Sequence, residues 1–196
     1  FSSKIPSNMN IDMDNNGYVD NICFIISGNV ESNNRILWPH QYSLASQNIQ
    51  INGKLASSYN LQFEKYLYVN VLCHEIFHAL GAPDLYRYMN TNITPIGQWD
   101  IMAGGSGHMS AYMKYKYGKW IPKIDVIKNT GTYALNPLIS TSGNCYMIKS
   151  LKNESEYFFL EYRKKTGKYE IDLPGSGLLI YRVNGDFWGN ENGPPD

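Results

Sequence analysis

The stretch that decides how this chain is read is His74-Glu75-Ile76-Phe77-His78-Ala79-Leu80-Gly81-Ala82-Pro83-Asp84, the pattern HExxHxxGxxD. On a helix, two imidazoles four residues apart are turned by about 40° and separated by roughly 6 Å along the axis, so both reach one metal ion on the same face. Glu75 projects beside them as a general base. A helix continued to Asp84 would carry that carboxylate roughly 9 Å past His78, too far to share the metal. Gly81 can take the positive φ that ends a helix, and Pro83 discourages its resumption. A break there swings Asp84 back as a third ligand and leaves the fourth tetrahedral position open, as a catalytic zinc requires. Other readings stay open on the residues alone. The two His can be ordinary residues of an amphipathic helix, and Asp84 can be a turn residue after Ala-Pro. His40 and His108 are then the alternative third ligands.

The 196 residues suit one domain, or a domain with a smaller β-rich lobe, and 43% hydrophobic content is enough for a packed core. Seventeen basic and seventeen acidic residues balance to zero. That gives no electrostatic footprint for nucleic acid or an anionic membrane, and no apolar run reaches spanning length. Sixteen Tyr, many Asn and few charges fit a secreted or surface protein. Cys23, Cys73 and Cys145 form no disulfide pattern and read as buried free thiols. Cys73 points about 100° away from His74 on a helix, toward the core rather than the metal. The chain opens without Met and closes on Gly193-Pro194-Pro195-Asp196, which reads as a processed or trimmed piece.

Upstream, Asp12-Met13-Asp14-Asn15-Asn16-Gly17-Tyr18-Val19-Asp20 puts oxygen groups at alternate positions around a glycine, as in a calcium loop. Asp12, Asp14, Asn16 and Asp20 offer side chains, and Tyr18 offers its carbonyl. Where an EF-hand needs a bidentate Glu there is Cys23, and Ile22 to Ile26 reads as a buried strand, so the loop is no EF-hand. It is either a Ca²⁺ loop completed from elsewhere or an Asn/Asp/Gly turn without an ion. Asn52-Gly53 predicts a tight hairpin. Apolar residues Leu67, Tyr68, Val71, Leu72, Ile76, Phe77 and Leu80 predict a helix over about 65–80, anchored by that stripe. Trp99 to Gly105 is a tight Gly-rich segment whose Met102 reads as a Met-turn, an apolar base under the metal. Ser110 to Trp120 reads as a second helix. Beyond Pro122, strands are predicted at 133–135, 145–148, 157–162 and 178–183, forming an antiparallel lobe. Residues 1–121 then make a catalytic core, 122–189 the β-rich lobe, and 190–196 a flexible tail.

These residues resemble the immune inhibitor A family of secreted bacterial metallopeptidases, over about Asp12 to Val183. The resemblance rests on 74–86, Trp99-Asp100-Ile101-Met102, Ser110-Ala111-Tyr112 with Gly118-Lys119-Trp120-Ile121, Glu161-Tyr162-Arg163, and Leu173 to Ile180. It implies an α+β, zincin/metzincin-like catalytic domain with a mixed sheet, an active-site helix and a Met-turn, followed by the antiparallel lobe. It further implies an extracellular endopeptidase acting on proteins or peptides, with zinc on His74, His78 and Asp84, Glu75 as base and calcium as a structural ion. The chain begins later than the family's first strand and backing helix. Tyr181-Arg182-Val183-Asn184 stands where the family usually reads Trp-His-Val-Asp. Ala103-Gly104 follows Met102, so no Tyr stands where some metzincins carry an auxiliary ligand, and Tyr86, His108 and Tyr112 are the candidates for stabilising a developing oxyanion. A zincin-like adhesion or binding domain without catalysis is the competing expectation, and a latent protease awaiting removal of a further segment is a third.

Overall fold

The computed structural model describes residues 4–28, 38–89 and 92–189, so the expected tail at 190–196 lies outside the described residues. Over the described residues the chain is mixed α+β, with three sheets and few helices. It divides into two compact units, 1–81 and 82–196.

The first unit holds β1 (Cys23–Ile26), β2 (His40–Ser43), the short pair β3 (Gln50–Ile51) and β4 (Lys54–Leu55), β5 (Ser58–Phe63) and α1 (Val69–Ala79). The strand order β1-β5-β2 makes a mixed sheet: β1 runs parallel to the central β5, and β2 antiparallel. Leu61 is the register point, opposite Phe24 on one side and His40 on the other. Between β3 and β4, Asn52 (φ 47°) and Gly53 (φ 79°) both take left-handed conformations. That is the two-residue hairpin turn the Asn-Gly pair favours, because its twist matches the flanking strands.

Two expectations change here. β1 is paired where expected, but its residues alternate between exposed and half-buried rather than forming a buried run. The helix begins at Val69, not Lys65, because Tyr68 is extended (φ −82°, ψ 136°) and breaks the chain away from a 3-10 turn at Glu64–Tyr66. The anchoring stripe is also narrower than its spacing implies. Phe77 is buried in α1, whereas Leu67, Tyr68, Ile76 and Leu80 are exposed.

In the second unit come α2 (Ala111–Met113), β6 (Asp125–Val126), β7 (Cys145–Lys149), β8 (Glu156–Arg163), α3 (Gly167–Glu170) and β9 (Gly177–Asn184). α2 continues as a π-helical turn over Lys114–Gly118, so the expected helix from Ser110 is present with a wider last turn. The sheet order is β6-β7-β8-β9, antiparallel except for β6, which runs parallel to β7. No strand forms at 133–135, where the Tyr133 and Tyr146 hydroxyls instead donate to the carbonyls of Asn129 and Ala134. Ala111, Ile121, Ile124, Leu138, Cys145 and Phe159 form one core, with Tyr181 stacked on Phe159. β8 turns Phe159, Glu161 and Arg163 inward, so charged residues alternate into the buried face. Among the described residues, no helix is long and apolar enough to cross a membrane.

Candidate metal centres

α1 places His74 and His78 one turn apart with their Nε2 atoms 3.2 Å from each other and the rings at 89°. Two nitrogens bound at ~2.0–2.1 Å to one tetrahedral zinc stand roughly 3.3 Å apart, so this spacing fits the ion. It equally suits a hydrogen bond in which one ring donates to the other. The helix closes as the glycine predicts: the Leu80 and Gly81 N–H groups donate to the carbonyls of Phe77 and His78, and Gly81 sits at φ 89°. Over the continuous stretch 74–84, one ligand atom each from His74, His78 and Asp84 lies within 4.8 Å of the others. Among the described residues His40 and His108, the alternative third ligands, belong to no such group. Glu75 and Asp84 are 7% and 6% exposed, so both carboxylates are largely withdrawn from solvent.

Asp84 is held from its own side of the break. Its Oδ2 accepts a short hydrogen bond from the Tyr88 hydroxyl, and the next residue, Leu85, donates its N–H to the Met102 carbonyl at 2.8 Å. Met102 is fully buried in a 3-10 turn over Ile101–Ala103. Asp100 builds that turn: its carboxylate accepts the N–H of Met102 (2.8 Å) and of Ser110 (2.7 Å), and its carbonyl accepts those of Ala103 and Gly105. Burial pushes the Asp100 carboxyl upward, against the hydrogen bonds that favour its charge. Gly105 has no room for a side chain, since a Cβ there would stand 2.6 Å from the Gln98 carbonyl oxygen and 2.7 Å from that of Asp100.

Arg163 ties the two limbs of this loop together. Its Nη1 donates to the Trp99 carbonyl (2.7 Å) and to Glu161 (3.0 Å), and its Nη2 to the His108 carbonyl (3.4 Å). Glu170 takes the other edge of the guanidinium through two bonds, at 2.7 and 3.0 Å. Desolvation works against the Arg163 charge, yet Glu170 and Glu161 raise it further above the usual arginine range. Burial raises Glu161 as well, although it accepts from Arg163, from the Ala111 N–H and from the Tyr181 hydroxyl. Tyr88, Asp100 and Arg163 escaped the sequence reading. Arg163 sits in the quoted Glu161-Tyr162-Arg163, where an alternating strand position pointing inward was the available signal.

The three oxyanion candidates differ in setting. Tyr86 packs edge-on against Tyr88. His108 packs against Tyr169, and burial pulls its imidazole down to about 4, so it is neutral at pH 7. The Tyr112 hydroxyl accepts from Lys116, and burial pushes it up to about 12.

The second group is Asp12, Asp14 and Asp20, whose carboxylate oxygens also lie within 4.8 Å of one another. Asp12 is already engaged by three donors. Its oxygens accept from the N–H groups of Asn16 and Gly17 and from Lys54 Nζ at 2.7 Å, and the Lys54 bond is the main cause that lowers its pKa. Asn16 Oδ1 accepts from the Tyr18 N–H, and Asp20 Oδ2 from the Met13 N–H. The loop therefore closes on itself with an ammonium on its buried carboxylate, and a calcium ion would have to replace Lys54 there.

Of the three cysteines expected to be buried, only Cys145 is: Cys73 is half-buried, and Cys23 is exposed on the outer alternation of β1. Burial is the first cause that raises all three thiols, Cys145 to about 12, so none is a ready thiolate. No family model matches the chain, and neither a curated protein nor a solved structure matches it.

Proposed function

We propose that this chain is a zinc-dependent endopeptidase of extracellular proteins, built as a zincin/metzincin-like domain resembling the immune inhibitor A family. The observation that carries the reading is the grouping of His74, His78 and Asp84 across the glycine break, with the imidazole nitrogens at a tetrahedral spacing. These three side chains would hold zinc, which when bound supplies Lewis acidity toward a peptide carbonyl and a water molecule. Glu75 is the general base: it takes a proton from the attacking water as oxygen joins the carbonyl carbon. It then passes that proton to the amine as the C–N bond breaks, leaving a carboxylic acid and an amine, which exchange the acid proton to give carboxylate and ammonium. Met102 serves as the Met-turn, and its carbonyl sets the backbone next to Asp84. The Asp12 loop is the place for a structural calcium, taken in exchange for Lys54.

Glu75→Gln tests the assignment. It keeps the shape of the side chain and removes the base, so it should retain one zinc per chain and lose casein hydrolysis by about 10²–10⁴-fold. A variant that cleaves at the wild-type rate removes Glu75 from the mechanism. Zinc binding with no chelator-sensitive cleavage in the wild type favours a binding domain instead.

A further inference from the structure

Lys114, on the π-helical turn after α2, is 6% exposed, yet its Nζ makes no hydrogen bond or ion pair among the described residues. The carboxylates in its surroundings are Glu170, Glu161 and Asp100. Each is bonded elsewhere, the two glutamates by Arg163 and Asp100 by the backbone of its own turn. The side chain is buried but Nζ itself is not a sealed atom, so an acceptor held in the space beside it can answer its charge. Lys114 lines a cavity of about 380 Å³ that lies wholly within the second unit. That volume falls in the ~300–1,000 Å³ range of small-molecule sites.

The lining has a definite chemistry. Lys168 adds a second cation, and none of the described lining residues is an aspartate or glutamate. Trp120, Ile121, Leu138 and Tyr169 form apolar walls. We propose that this cavity binds a small organic carboxylate, with its anionic head on Lys114 Nζ and its apolar part against Trp120 and Leu138. Burial pulls the Lys114 amine down only to about 8, which leaves it mostly protonated at pH 7. His108 shares the lining but is neutral at that pH, so the charged groups among the described lining residues are the two lysines, with Glu170, Glu161, Asp100 and Arg163 behind them.

The test is calorimetric titration of the full chain with phenylacetate, with its neutral analogue 2-phenylethanol, and with inorganic phosphate. Saturable one-to-one binding of phenylacetate is expected, with the alcohol and phosphate each at least about tenfold weaker. Lys114→Met, which keeps the volume and removes the charge, should weaken phenylacetate by about tenfold or more, the scale of a charged hydrogen bond. The proposal is overturned by an absence of saturable binding up to millimolar phenylacetate, by equal binding of the alcohol or phosphate, or by unchanged affinity in Lys114→Met. If that variant does not fold, wild-type protein is reductively methylated with and without phenylacetate and mapped by mass spectrometry. Protection of Lys114, with surface lysines such as Lys123 unprotected, supports the site; equal labelling of Lys114 in both samples overturns it.

Discussion

Arg163→Ala strips the buried polar cluster of its centre. The guanidinium, Glu161 and Glu170 are all sealed from solvent, and the arginine bonds both carboxylates and the carbonyls of Trp99 and His108. Removing one partner of a buried ion pair costs roughly 3–5 kcal/mol, because a charge is left without compensation. Each orphaned carbonyl adds about 1–3 kcal/mol unless water enters, and these contributions do not sum freely. The expected loss is therefore at least about 3 kcal/mol, a large part of the ~5–15 kcal/mol that holds a domain folded. Urea unfolding followed by tryptophan emission measures it, since Trp99, Trp120 and Trp188 lie in the second unit. With a slope of ~1–3 kcal/mol per molar, the midpoint should fall by about 1–3 M. The solvent-exposed pair Lys123–Asp125 is the control, and Lys123→Ala should leave the midpoint where it was. A midpoint for Arg163→Ala within experimental error of wild type would refute the reasoning that this cluster holds the Met102 loop.

Tyr88→Phe removes the hydroxyl bonded to Asp84 and should weaken zinc by about 10-fold or more in a chelator competition, with folding intact; an unchanged affinity disconnects Tyr88 from the metal. His108 is depressed by burial to about 4 against an unfolded value near 6.5, so the unfolded chain binds more protons between those pH values. The contribution of His108 to the stability of the second unit is thus fully present above about pH 6.5 and is lost as pH falls toward 4. Denaturation midpoints in His108→Gln should lose that part of the slope, and an identical pH profile counts against it. Lys54→Met clears the ammonium from Asp12, so calcium should raise the melting temperature more in the variant than in wild type. No calcium response in either protein assigns the loop to a turn.

Local chemistry was legible wherever neighbouring residues decide the outcome. Asn52-Gly53 forms its turn, Gly81 ends α1, and β7, β8 and β9 lie where alternating apolar residues placed them. What sequence could not report came from distant partners. Tyr133 to Leu135 has strand-forming residues, but its tyrosine bonds a loop carbonyl. β6 is two residues long and exists because Met147 and Tyr146 offer a pairing edge. α1 is shorter than its apolar spacing implies because Tyr68 is apolar at helical spacing while its backbone is extended. At the His74, His78 and Asp84 group, the helix and its glycine stop followed from spacing, whereas Asp100 and Arg163 act through contacts 10 and 64 residues apart in the chain, and Tyr88 reaches Asp84 across four residues that form no helix. In the Asp12 loop the acidic pattern was plain, but the lysine that answers it arrives from the hairpin 42 residues away.

The most direct measurement of the central claim is a crystal of the zinc-loaded chain with diffraction recorded on both sides of the zinc absorption edge. One anomalous peak is expected, bonded to an imidazole nitrogen of His74, one of His78 and a carboxylate oxygen of Asp84. Density without a peak between the two imidazoles, with the Asp84 side chain facing solvent, would contradict it.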